Sequence, residues 1–390
     1  MKFKRRHILL SGLTAGLGAT IGTEQWQVQQ QQRQQAELEA ILKNEPRNVD
    51  TLLASAFESD SRKIYQGQQI QAAVKLTPPL VPYDREMSRR LILCSKIATQ
   101  QYLRGKIDPT YDGSIRSLPA YRSELDEYQQ IATFRGKEAL VNETIALDVP
   151  TDAQANSDDP IEQEVNNAEN TIQNTVRKAV RATLRVPVYI GFALISKKHS
   201  LIVFRGSQTR AEWVNNVTAF QEDYTNLPSK IDCGKIHSGF LDNYRSILEP
   251  LPRDVAAQLN PTVPCYVSGH SLGAALAVLA SLDIALNVPA IKPQLQLYIY
   301  ASPRVGDPTF AKLHNELIPN SYRVVNQADT INLLPPTNVL GVYLHIGQEW
   351  SFLAQNGDLL PNHVVDTYQT AINRAVETSE IPQYPISGTS

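Results

Sequence analysis

Two hydrophobic rhythms divide this chain. Over 85–104 apolar residues recur at helical spacing, which predicts a helix. From 186 onward the rhythm shortens to β-branched and aromatic runs. Residues 186–195 and 200–204 read as two strands joined by a hairpin at Ser196-Lys197-Lys198-His199. The pattern then predicts a helix over about 239–259 and a strand running into a small-residue helix near 265–277. Beyond these it predicts a strand at 295–300, a helix at 308–317, a strand at 322–326 and a last helix at 362–376. Strands that alternate with helices imply a mixed, largely parallel sheet with helices on both faces, so the expected fold class is α/β.

The first 180 residues follow a different pattern. Residues 1–7 are basic and residues 8–21 are apolar and glycine-rich, too short to span a bilayer but suited to an export signal. The pair Arg5-Arg6 followed by His7-Ile8-Leu9 resembles a twin-arginine signal, although Lys4 stands where such signals usually carry serine or threonine. No clean cleavage site follows. The expectation for 1–24 is therefore an export signal or a membrane anchor, with the protein in the periplasm, the thylakoid lumen or outside the cell. Residues 25–80, beginning with a glutamine-rich tract, read as a spacer and helical extension. The main domain is expected over 81–380, with an acidic surface insertion at about 137–168, a helix near 170–182 and a tail at 381–390.

Composition narrows the function. The chain has 390 residues, 42% of them hydrophobic and 19% charged, and a net charge of -2. That balance gives no electrostatic case for binding nucleic acid. Its three cysteines (Cys94, Cys233, Cys265) are too few for a disulfide framework, and no Cys/His cluster has the spacing of a metal site. The oligomeric state is not assigned.

The candidate chemistry centres on Gly269-His270-Ser271-Leu272-Gly273, which follows a strand pattern and precedes an alanine-rich helix. This is the setting of a nucleophile elbow, in which a strained turn lifts a serine Oγ above the sheet. Serine needs a base and a third group that orients it. In folds with such an elbow the acid and then the histidine follow the serine along the chain. The later histidines are His314, placed mid-helix and expected at the surface, His345 in a strand-like stretch, and His363 where a loop becomes a helix. Of the acids Asp283, Asp307, Asp329, Glu349 and Asp358, Asp283 sits in the elbow helix and Asp307 fits a helix N-cap before Pro308. Asp329 follows the 322–326 strand at its carboxyl end, where open α/β sheets place functional side chains.

Four segments stand out in order: Val203-Phe204-Arg205-Gly206-Ser207 with Glu212-Trp213; the elbow; Ser302-Pro303-Arg304-Val305-Gly306-Asp307; and Arg323-Val324-Val325-Asn326-Gln327-Ala328-Asp329 leading to Leu334-Pro335-Pro336. Together they resemble the class 3 lipases, whose relatives include galactolipases and phospholipases. The resemblance implies an α/β-hydrolase-like fold and a serine esterase acting on acylglycerols or membrane glycerolipids, with possible membrane-surface association and no cofactor. It assigns Ser271 as nucleophile, Asp329 as acid and His363 as base. It places the oxyanion donors at Leu272 and Ser207, and a lid over 210–220 that includes Trp213, Val214 and Val217. His345 matches a family element, Tyr343-x-His-x-Gly347 with Glu349 and Trp350, that is usually structural. Ala274 stands where many relatives have a third glycine. The alternatives are a short-chain carboxylesterase or a catalytically silent lipase-like binding module.

Overall fold

The computed structural model describes residues 69, 71, 77–108, 110–140, 185–206, 221–335, 341–355 and 359–374. The expected signal at 1–24, nearly all of the spacer, most of the acidic insertion, the helix near 170–182, Ser207, the lid with Trp213, Val214 and Val217, and the tail lie outside these residues. Among the described residues no helix is long and apolar enough to cross a membrane.

Helix α1 (Arg85–Ile107) is capped at its N-terminus by the Asp84 carboxylate accepting from Met87 N at 3.0 Å. Strands β1 (Gln129–Leu140), β2 (Arg185–Ile195) and β3 (Ser200–Phe204) follow. Strands β4 (Gln221–Asn226) and β5 (Ile231–His237) form a separate antiparallel hairpin. Then come helices α2 (Ser238–Arg245) and α3 (Pro252–Ala256), strand β6 (Cys265–His270), helix α4 (Leu272–Asn287) and strand β7 (Leu295–Tyr300). Helix α5 (Pro308–Leu317), strands β8 (Ser321–Asn326) and β9 (Gln348–Phe352), and helices α6 (Leu359–His363) and α7 (Val365–Asn373) complete the order.

The main sheet runs β1-β2-β3-β6-β7-β8-β9. The β1–β2 and β2–β3 pairs are antiparallel, and every later pair is parallel. This is a mixed, mostly parallel sheet flanked by helices, as the alternating pattern implies. Period-two alternation sends Ile202, Phe204, Val267, Leu297 and Ile299 into one core with α2, α3, α4 and α5. Leu201, Val203, Tyr266, Tyr298 and Tyr300 enter a second core with α1 and α7. The central strands are buried on both faces, so they read as continuous apolar runs. All the parallel strands therefore end at one edge of the sheet, where the loops after β6 and β8 meet.

Several expectations need correction. The single helix over 239–259 is two short helices, because Pro250 and Pro252 lack the N–H a continuing helix requires. The last helix is broken at Val364, whose extended ψ of 147° separates α6 from α7. Strand β1 continues to Leu140, at the near edge of the expected acidic insertion. His314 is fully buried: its ring turns inward beside Phe310 and Ala311, and Nε2 meets Ser281 Oγ at 3.1 Å. His345 lies outside any strand, in a stretch with isolated bridge residues at Val342 and Leu344.

Candidate active site

Ser271 occupies the turn between β6 and α4 at φ 58° and ψ -124°. A non-glycine residue pays about 1–3 kcal/mol for such a backbone, which persists only when its surroundings impose it. Here the Ser271 N–H donates to Tyr300 O at 3.0 Å, and Ser271 O accepts from Ala274 N at 2.9 Å. The close crossing of strand and helix demands glycine on both sides. A Cβ on Gly269 would lie 2.1 Å from Gly273 O, and one on Gly273 would lie 2.5 Å from Phe204 O.

Three side chains meet above this turn. His363 Nε2 lies 2.9 Å from Ser271 Oγ, and His363 Nδ1 lies 2.8 Å from Asp329 Oδ2. All three are buried. Asp329 sits in the loop after β8, His363 ends α6, and parallel pairing of β6, β7 and β8 brings these loops to the edge that carries the elbow. Asp329 is held from three sides. Oδ1 accepts from Ile331 N at 2.9 Å, and Oδ2 accepts from the Tyr368 hydroxyl at 2.7 Å as well as facing His363.

The structure distributes the remaining candidates differently. His270 does not face Ser271; its Nε2 donates to the His363 carbonyl at 2.8 Å. Burial, then the adjacent His363, pushes the His270 pKa down to about 3, so the ring is a neutral donor. His345 is buried among Arg323 and Arg304, with its backbone N–H and C=O both bonded to the Gln71 amide, at 2.7 and 3.2 Å. It is His363 that reaches both partners. Asp307 caps α5 by accepting from Phe310 N at 2.8 Å. Asp283 lies far along α4, bonded to Asn226, Asn287, Tyr244 and Arg253. Leu272 opens α4, where its N–H has no intrahelical acceptor. Arg205 stacks its guanidinium 3.9 Å over the Tyr102 ring and donates to Gly206 O at 3.0 Å. These contacts hold the strand end that leads to position 207.

With this geometry in place, residues 201–339 match the family model for Lipase (class 3). The matched segment is similar to the class 3 lipases. It contains β3 from Leu201 onward, the elbow and Asp329, whereas His363 lies beyond the match. Over 158 residues the chain is 35% identical to a lipase of Rhizomucor miehei, covering 40% of this chain and 42% of that one. It is 32% identical over 158 residues to secreted mono- and diacylglycerol lipase 1 of Fusarium solani, covering 40% and 44%. It is 30% identical over 155 residues to the chloroplastic phospholipase A(1) DAD1 of Arabidopsis thaliana, covering 36% and 34%. The chain thus spans less than half the length of each of these curated relatives. A solved structure of the Rhizomucor miehei triacylglyceride lipase aligns with a TM-score of 0.45 at 24% identity, over 69% of this chain and 81% of that one.

Motif reading did not single out Tyr368 or Thr367, and it quoted Asn326 without a role. Tyr368 has no motif signal; it is an ordinary inward position of α7, and only the folded chain brings its hydroxyl to Asp329.

Proposed function

We propose that the protein is a serine esterase hydrolysing carboxylic esters of acylglycerols or membrane glycerolipids. The unbroken chain of contacts from Ser271 Oγ through His363 to Asp329, at 2.9 and 2.8 Å, carries this reading. Ser271 Oγ attacks the ester carbonyl as His363 Nε2 takes its proton. Asp329 holds Nδ1–H and stabilises the imidazolium that forms. The imidazolium then returns the proton to the leaving alkoxide, and water activated by the same ring releases the acyl group from Ser271. No cofactor enters this sequence. The Leu272 N–H, with Ser207 as second donor, stabilises the oxyanion, each such donor being worth about 2.7–4 kcal/mol.

The substrate class rests on the family and on relatives named as mono- and diacylglycerol lipase and phospholipase A(1). On the same reading residues 210–220, with the apolar Trp213, Val214 and Val217, would serve as a lid toward the lipid surface. The secreted relative supports reading residues 1–24 as an export signal ahead of a spacer over 25–80 and a hydrolase domain over 81–380.

Ser271→Ala tests the mechanism: ester hydrolysis should vanish, along with labelling by an organophosphonate probe, while circular dichroism stays unchanged. Turnover kept by the variant refutes it. Rates on triacylglycerol, galactolipid and phospholipid assign the head group. A jump in rate at the onset of micelles separates a lipase from a soluble-ester hydrolase.

A further inference from the structure

Helix α6 is only five residues long, so its carbonyls have little helical bonding to rely on. Three successive carbonyls at its end are instead held by side chains from three other places. Pro361 O accepts from Thr367 Oγ1 at 2.7 Å, Asn362 O from Asn326 Nδ2 at 3.0 Å, and His363 O from His270 Nε2 at 2.8 Å. The backbone that carries the His363 imidazole is thus clamped one residue at a time.

Asn326 does more than the other two. It is the last residue of β8 and is fully buried. Its second Nδ2 hydrogen goes to Ala354 O at 2.9 Å, and Oδ1 accepts from Ala354 N at 3.0 Å and Ala328 N at 3.3 Å. Two donors and two acceptor sites are all an asparagine amide has, and all four are used. The arrangement also fixes the amide's orientation, because a flipped group would set donors against N–H groups and its oxygen against carbonyls. Meanwhile Asn326 O accepts from Asp329 N at 2.9 Å. One residue therefore ties the loop bearing Asp329 to the segment bearing His363.

We propose that Asn326 is a positioning residue for the reaction, setting the reach of the His363 imidazole between Asp329 and Ser271 through the Asn362 carbonyl. The inference rests on the reading of those three as the reacting set. Asn326 touches no reacting atom; it acts through the backbone beside His363. Its amide extends the β8–β9 pairing one rung past Asn326 and Phe352, because it bonds Ala354 as a partner strand would.

The test uses the full chain, a soluble monomeric ester, and organophosphonate titration to count competent sites. Asn326→Ala should lower kcat per titrated site by about 10- to 100-fold, the scale of loss expected from a small misplacement of a reacting group. KM should stay within about threefold, since substrate contacts are unchanged. A kcat per site within twofold of the parent, or a loss confined to KM or to Tm, overturns the proposal. If Asn326→Ala does not fold, Thr367→Val decides, because it deletes the Oγ1 donor on the adjacent Pro361 carbonyl and leaves Asn326 in place. A fall in kcat with KM kept then supports the clamp, and an unchanged kcat overturns it. Failure of the underlying reading shows separately, as turnover retained by Ser271→Ala.

Discussion

The Tyr368 hydroxyl donates to Asp329 Oδ2 at 2.7 Å, on the same oxygen that faces His363 Nδ1 at 2.8 Å. Burial, then the Asp329 charge, raises the Tyr368 pKa well above its usual 10, so the hydroxyl remains a donor. Its oxygen in turn accepts from Asn326 N at 3.1 Å, linking the carboxylate to the end of β8.

Tyr368→Phe deletes the donor on Asp329 and the acceptor for Asn326 N. A buried hydrogen bond to a charged group is worth about 1.5–3 kcal/mol, and unfolding in urea should register a loss of that order. The measured kcat should fall as well, since a less constrained carboxylate orients the imidazole less well. An unchanged kcat would show that Ile331 N alone suffices to hold Asp329.

Gly269→Ala tests the crossing of β6 and α4. The added methyl would stand 2.1 Å from Gly273 O and 2.3 Å from Gly273 C, both backbone atoms with no side-chain freedom to retreat. The cost should reach about 3 kcal/mol or more, at or above the upper end for overpacking. Either poor soluble yield or a folded protein without phosphonate labelling is expected. Normal stability together with full labelling would contradict the geometry.

Three buried histidines make stability sensitive to acid. Burial lowers His270 and His314 to about 3 and His345 well below its usual value. The folded state therefore keeps these rings neutral, while the unfolded chain binds protons below about pH 6.5. More protons on the unfolded side means stability falls as pH drops through 6.5 towards the folded values. At pH 5.5 each ring contributes a loss of roughly 1 kcal/mol, a few kcal/mol together. Urea unfolding at pH 7.5 and 5.5 measures the difference, and His314→Gln should shrink it by about a third. An equal drop in that variant would remove His314 from the account.

Asp283 is a control at the far end of the helix that begins at Leu272, about 16 Å along its axis. It accepts from Asn226 and Asn287 at 3.0 and 2.7 Å and from Tyr244 at 2.9 Å, and it pairs with Arg253 at 3.3 Å. Asp283→Ala should cost about 3 kcal/mol, the low end for a broken buried pair, because Arg253 is partly exposed to water. Activity per folded molecule should be unaltered, and a large drop would reveal coupling along α4.

Much of the fold could be read from the chain because its signals are local. Helix α1, the β2–β3 hairpin, β7 and α5 each carry a complete pattern within their own residues. Strands β1, β4, β5 and β9 were not legible. Gln221–Asn226 and Gln348–Phe352 are polar or only half-buried, and they take extended form from their sheet neighbours rather than from alternation. His314 misled because a polar residue in a helix suggests solvent, whereas the facing Ser281 gives it a buried partner.

The sequence by itself marked most of the elements and one candidate turn: a serine between glycines, after a strand and before a helix, with Asp329 offered as acid by its place after a strand. It left His345 and His363 both open on position alone, and it carried no trace of Asn326 or Tyr368 as partners. Those choices belong to the tertiary structure. His363 stands 92 residues from Ser271 and 34 from Asp329 along the chain, and hydrogen bonds form by distance in space. Periodicity reports which face of an element is buried. Only the order and register of the strands decide which loops arrive together.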